Sequence, residues 1–292
     1  MTSDLSWRCR NRTLRMGLRP LVMGILNVTP DSFSDGGRYQ GTDAAIRHGM
    51  AMAEAGADVI DVGGESTRPG AAPVEADDEI RRVIPVIRAL ARAFAAMPDS
   101  PVLSVDTSKA MVARLAVEAG ACILNDVTAL EGDPAMAGVA RDTGAGVILM
   151  HRRGDPATMQ RDPRYGDVVA DVVAYLADRL SAVKAAGLAA DTMALDPGIG
   201  FGKTVEHNVK LLAGLQQMAA LGRPVVIGVS RKSFIGKITG RDSDHRLAGS
   251  LAGAVWAAMR GAHVWRVHDV AESADAARMV GALREETAAW NG

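Results

Sequence analysis

The sequence predicts an α/β protein of the (β/α)8 type, a TIM barrel, as one domain over residues 1–292 with residues 1–20 as an N-terminal extension. Three observations predict it. Eight short apolar runs recur along the chain. Helical patterns lie between them, several closed by a glycine. Nearly every apolar run also ends at a polar residue able to do chemistry. Short strands buried on both faces and alternating with amphipathic helices are the mark of parallel βαβ units. Eight such units favour closure into a barrel. An open doubly wound sheet is the other fold built this way, but no GxGxxG follows the first run.

The eight runs are Leu21–Leu26, Val59–Val62, Val102–Val105, Cys122–Leu124, Val147–Met150, Met193–Leu195, Val225–Val229 and Val264–Val267. Helices are expected over Thr42–Ala55, Ala76–Ala96, Ser108–Ala119, Asp167–Ala186 and Thr204–Leu221. Gly56, Gly120, Gly187 and Gly222 follow four of these, and glycine just past a helix is a C-terminal stop signal. A further helix, Leu247–Met259, reads LAGSLAGAVWAAM and is apolar almost all round. A helix on the outside of a barrel should keep a polar face, so this one is expected to be covered by a second subunit.

Composition fits that fold. Apolar residues make up 48% of the chain but aromatics only 4%, so the core is built of small aliphatic residues and methionine. The net charge is −1, which gives no support for nucleic acid or an anionic membrane as partner. The longest apolar stretch is too short to span a bilayer. Cys9, in a polar N-terminal segment, and Cys122, in an apolar run, are the only cysteines. They suggest neither a disulfide nor a metal site, and with no signal-peptide pattern a reducing, cytoplasmic location is expected.

The chemistry is expected where the strands end. Asn27 follows the first run and Asp61 closes the second. Asp106, Asn125, His151 and Asp196 follow the next four, Ser230-Arg231-Lys232 the seventh, and Arg266 and His268 bracket the end of the eighth. In a barrel these positions share one rim, the face that carries active sites. Any one of them alone reads as a capping or loop residue. Asp106 in particular stands just before a helix, where an aspartate often serves as N-cap. Two segments, Val28–Tyr39 and Gly63–Pro73, are rich in Gly, Pro, Ser and Asp, show no period, and read as lids.

These pieces form a longer pattern: MGILNVTPDSFSDGG from Met23, DVGGESTRPG from Asp61, SVDTSK from Ser104, NDVTAL from Asn125, Met150-His151 with Thr158-Met159-Gln160, DPGIGFGKT from Asp196, GVSRKSFIG from Gly228, and RVHDV from Arg266. The pattern resembles the dihydropteroate synthase family from about Leu21 to Val270. The resemblance implies substrates, cofactor and site. Asp196 and Asn125 would accept the 2-amino and ring N–H groups of a dihydropterin. Asp106 would take another ring nitrogen, and Lys232 would donate to the pterin carbonyl and ring nitrogen. Arg266, His268 and Asn27 would hold the diphosphate of the pterin substrate, with Mg2+ on Asn27. Phe33, Thr67, Arg68, Phe201 and Ser233 would form the p-aminobenzoate pocket. Asn27, Lys232, Arg266 and His268 would be the catalytic set, and the enzyme would be a homodimer.

Overall fold

A computed structural model of the chain describes residues 5–29, 38–66, 72–154 and 158–290. Eight parallel strands hydrogen-bond in sequence order around a barrel: β3 (Leu21–Asn27), β4 (Val59–Gly63), β5 (Val102–Asp106), β6 (Ile123–Asp126), β7 (Gly146–Met150), β8 (Met193–Asp196), β9 (Val226–Ile227) and β10 (Val264–Val267). β10 returns to pair with β3, with Arg266 beside Met23. The circle closes between β8 and β9 through the bridge Leu195–Val225, where Leu195 N donates to Pro224 O at 2.8 Å.

The helices alternate with the strands: α1 (Arg38–Glu54), α2 (Ala76–Phe94), α3 (Ala110–Ala119), α4 (Met136–Thr143), α5 (Val168–Ala185), α6 (Val205–Ala213), α7 (Leu215–Ala219), α8 (Ser233–Thr239), α9 (Leu247–Met259) and α10 (Val270–Trp290). The helix expected over Thr204–Leu221 is two helices, broken at Gly214. Its start is as the sequence suggests: the Thr204 hydroxyl accepts from His207 N at 3.2 Å, and the His207 ring returns a bond to the Thr204 amide. α1 begins at Arg38, inside the stretch expected to be the first lid.

Strand alternation divides the core into two layers. Val22, Leu26, Ile60, Val62, Leu103, Val105, Leu124, Val147 and Leu149 pack outward against the helices. Leu21, Met23, Val59, Val102, Ile123, Ile148, Ala194, Val226 and Val264 form a separate apolar cluster inside the barrel. That inner cluster is sealed from below by the N-terminal segment, which in sequence shows only as an extension. It is an antiparallel hairpin, β1 (Ser6–Cys9) with β2 (Arg12–Arg15). Trp7 and Cys9 insert fully buried into the barrel floor, and Trp7 Nε1 donates to Thr192 O at 2.8 Å. Arg10 and Arg12 bind the carbonyls of Val117 and Ser100, each at 2.8 Å. Cys9 therefore lies in a core and not in polar surroundings; both cysteines are buried and free.

α9 differs in one respect from its sequence reading. Ser250, Ala254, Ala257 and Ala258 face the protomer's own core, so part of its apolar character is used internally. Its outer face carries Ala248, Ala252, Trp256 and Met259, with Trp256 and Met259 about half exposed at 47% and 61%. Among the described residues no helix is long and apolar enough to cross a membrane.

Candidate active site

The inward positions that are apolar at the barrel floor become polar at the C-terminal rim. Two residues further up the strand, or four in β3 and β5, the same face carries Asn27, Asp61, Asp106, Asn125, Asp196 and Arg266, with Met150 apolar among them. Register sets their spacing: Asp106 pairs with Asn125 and Gly63, and Asn27 pairs with Gly63. Gly63 leaves space between its neighbours, since a methyl group there would touch both Asp106 and Asn27 Oδ1.

Arg266 is the hub. Its Nε donates to Asp61 Oδ2 at 2.7 Å and its Nη2 to Asp106 Oδ2 at 2.6 Å. Asn125 Nδ2 donates to the same Asp61 oxygen at 2.9 Å. A carboxylate only accepts, so this bond fixes the Asn125 amide with its oxygen as the outward acceptor. Asp106 does not cap the helix that follows it. That helix starts at Ala110 with no side-chain cap, and the Asp106 carboxylate is buried and turned into the barrel. Asp196 Oδ1 accepts from Gly198 N at 2.7 Å, which orients the carboxylate.

Burial dominates the titration of this group. It pushes the Asp106 carboxyl up, and the nearby charges of Asp61 and Glu79 add to the rise while Arg266 resists it. Burial likewise raises Asp196, against the pull of the Gly198 amide and of Lys232, Arg266 and Lys203. For Arg266 burial opposes the charge, but Asp61, Asp106 and Asp196 outweigh it and push its pKa up.

The remaining candidates stand around this centre. Lys232 precedes α8 and places its Nζ 4.2 Å from the centre of the Phe201 ring, a cation–π contact. Ser233 opens α8 and is exposed. Ser230 Oγ accepts from the His268 amide and lies 3.1 Å from His268 Nδ1. Asn27 ends β3, half-buried. Phe33, Thr67 and Arg68, and with them most of the two expected lids, lie outside the described residues. The base of the second lid is described: Lys109 Nζ bridges Glu65 and the fully buried Glu79, the latter at 2.5 Å, and Arg82 binds Gly64 O at 2.7 Å.

Two residues of this centre were not singled out from sequence. In sequence Asp61 reads only as a strand end, yet it joins Arg266 to Asn125. Lys203 is buried behind Asp196 with its Nζ 2.9 Å from His151 Nδ1. Its signal is faint: a lysine within a glycine-rich loop reads as a solvated side chain.

A barrel mouth lined by buried carboxylates, an amide and two cations suits a flat, nitrogen-rich ring bearing an anion. The sequence model of the pterin binding enzyme family matches residues 23–268, from the first barrel strand to just past the last. The dihydropteroate synthase of Escherichia coli K12 is 49% identical over 261 residues, 89% of this chain and 90% of its own length. The chain belongs to the dihydropteroate synthase family. The likeness extends to solved dihydropteroate synthases. One from Xanthomonas albilineans with 4-aminobenzoic acid superposes with a TM-score of 0.89 at 47% identity, covering 97% of this chain and 99% of its own. Another from that organism, in complex with 7,8-dihydropteroate, gives a TM-score of 0.84 at 44% identity, covering 96% and 98%.

Proposed function

We propose that this chain condenses 6-hydroxymethyl-7,8-dihydropterin diphosphate with p-aminobenzoate to give 7,8-dihydropteroate and pyrophosphate, a step of folate biosynthesis. The carrying observation is the set of acceptors at the barrel mouth in a chain of this family. Asp106, Asn125 and Asp196 are each fixed by one bond to the protein. The amino and ring N–H groups of a pterin are the donors such a set requires, and Lys232 answers the ring's acceptors.

The reaction needs no protein nucleophile. The bond between the pterin methylene carbon and the diphosphate oxygen breaks, and its electron pair leaves with pyrophosphate. The electron-rich ring carries the resulting positive charge. The amine of p-aminobenzoate, unprotonated near neutral pH, then bonds to the methylene carbon and loses a proton to solvent. The protein contributes by binding the leaving group and excluding water. His268 is assigned as a ring N–H donor to the diphosphate. Arg266 already holds two carboxylates, so its share in binding the leaving group falls to Nη1. Phe33, Thr67, Arg68, Phe201 and Ser233 are proposed to receive p-aminobenzoate.

Among the described residues no group of three or more His, Cys, Asp or Glu side chains is placed to hold a metal ion. A single amide oxygen on Asn27 fits Mg2+, which is commonly bound through substrate phosphates and water with few protein ligands. Such an ion would neutralise charge on the diphosphate. The apolar outer face of α9 supports a homodimer, and the two unpaired buried cysteines support a cytoplasmic location. The deciding assay supplies both substrates with Mg2+ and follows dihydropteroate and pyrophosphate together. Equimolar formation of both is expected. Absence of dihydropteroate would overturn the reading.

A further inference from the structure

The Met150-His151 and Thr158-Met159-Gln160 segments stand out in the sequence, yet none of the steps above uses His151 or Gln160. Their surroundings give them a task. The loop after β8 carries Phe201, and three successive carbonyls in it each accept a side-chain bond. Gln160 Nε2 donates to Gly200 O. Lys203 Nζ donates to Phe201 O at 3.0 Å. Tyr165 Oη donates to Gly202 O at 2.9 Å. From the other side, Gly200 N donates to Asn208 Oδ1 at 2.8 Å.

Lys203 ties this loop to the end of β7. Besides Phe201 O, it faces His151 Nδ1 at 2.9 Å and His151 O at 3.4 Å. An ammonium has three donors and no acceptor, so three acceptors use it fully. The His151 ring packs edge-on against Tyr175 with centroids 5.0 Å apart and lies 6.1 Å from Tyr165. In a chain with three tyrosines, two serve this one histidine. The two loops touch through bare backbone. Gly198 and Gly202 both have positive φ, and a β-carbon would come within 1.9 Å of His151 O at the first and 2.3 Å of Arg153 O at the second. Burial pushes the Lys203 ammonium down to about 7 and, with the Lys203 charge, His151 to about 3. A neutral His151 is the acceptor this geometry requires.

We propose that Gln160, Tyr165 and Lys203, with His151 behind them, are positioning residues that hold the Phe201 ring as the rigid wall of the p-aminobenzoate pocket. The inference rests on the proposal that Phe201 flanks that substrate. The pterin acceptors Asp106 and Asn125 stand on strand ends outside the brace, and Asp196 meets the loop at Gly198, ahead of the three braced carbonyls. Loosening it therefore acts on one substrate more than the other.

The test uses the double variant Gln160→Ala/Tyr165→Phe, which keeps the tyrosine ring and removes two of the three carbonyl donors. Lys203→Met is the second variant. In the double variant KM for p-aminobenzoate should rise about tenfold, as loss of two modest hydrogen bonds implies, while KM for the dihydropterin diphosphate changes by less than about threefold. Amide exchange over Gly198–Lys203, measured without substrates, should speed by about tenfold in both variants. Equal rises in the two KM values, no rise, or unchanged amide exchange would overturn the brace. A wild-type enzyme that makes no dihydropteroate would overturn the proposed function instead, and amide exchange would still decide the brace.

Discussion

Replacing Arg266 with methionine removes the guanidinium and keeps much of the stem's volume. Two charge-assisted bonds disappear, at 2.7 Å to Asp61 and 2.6 Å to Asp106. Asp61 is fully buried and its Oδ1 already has no partner among the described residues, so the loss leaves this charge with only the Asn125 bond and leaves Asp106 facing it as a like charge. Breaking a buried pair by deleting one partner typically costs about 3–5 kcal/mol. The cost must depend on pH. Asp106 is already raised by burial and Arg266 holds it down, so without Arg266 the carboxyl rises further. The folded variant then binds a proton that the unfolded chain releases above the ordinary carboxylate range, and its stability falls as pH rises through the raised value. Urea unfolding at pH 8 should show a loss of about 3–5 kcal/mol, and a clearly smaller one at pH 5. Adding Asp106→Asn should recover part of the loss at pH 8 and flatten the pH dependence. A loss below about 1 kcal/mol at pH 8, the range of an exposed ion pair, or one equal at both pH values, would refute the assignment of Arg266 as the hub of the carboxylates.

Asp196→Ala should leave the fold intact and weaken pterin binding by about 1.5–3 kcal/mol, the worth of a hydrogen bond to a charged group; calorimetric titration with the free pterin reads it, and near-normal affinity would remove Asp196 from the site. Charges placed at Ala252 or Trp256, on the outer face of α9, should halve the mass seen in sedimentation, and an unchanged mass would remove this face from a dimer interface. Ala254 and Ala258 are unsuitable for that purpose, because both are buried within the protomer at 2% and 1% exposure. p-Aminobenzoate and sulfonamides should bind poorly to the free enzyme and well once pterin, pyrophosphate and Mg2+ are present, since ordering chain over a compact acid costs conformational entropy that the acid alone offsets poorly; tight calorimetric binding to the free enzyme would end this ordered scheme.

The rim was legible because strand periodicity and chain order write it directly. Each apolar run ends within a residue or two of the side chain that reaches the mouth, so Asn27, Asp106, Asn125, Asp196 and Arg266 could be placed without knowing any contact. Their partners could not. Arg266 and Asp61 are 205 residues apart, and nothing local at Asp61 separates a strand-end carboxylate from a hub. Lys203 hides for a related reason: its burial comes from the 151–153 backbone closing over a loop that sequence shows only as glycine-rich. The N-terminal hairpin was missed because Arg8, Arg10 and Arg12 make it read as solvated, although Arg10 and Arg12 bind backbone carbonyls at the barrel floor. On α9 the sequence shows a helix apolar all round but not which residues face inward; packing on the neighbouring helices decides that Ala254 and Ala258 do.

The arrangement also says why so many carboxylates can stand in one apolar barrel. Each of the three acceptors that would meet the pterin is fixed by a single protein bond: Asp106 by Arg266, Asn125 by Asp61, and Asp196 by the Gly198 amide. One atom of each side chain sets orientation and the other, Asp106 Oδ1, Asn125 Oδ1 or Asp196 Oδ2, is engaged by no donor among the described residues. A substrate with matching N–H groups then binds without displacing a protein bond and without reorganising the site, which is where preorganised polar groups gain over water. The same logic limits Arg266. A guanidinium that left Asp61 and Asp106 to follow the diphosphate would release the acceptors it orients, so two of its three nitrogens must stay where they are during the reaction. On the proposed reading, grasp of the leaving group would then fall mainly to His268. On this argument His268→Ala should weaken binding of pyrophosphate while leaving the free pterin's affinity unchanged, whereas Arg266→Met should weaken both; calorimetry with the two ligands separates the roles, and a His268 variant that loses the pterin as well would show that the two groups are not divided this way.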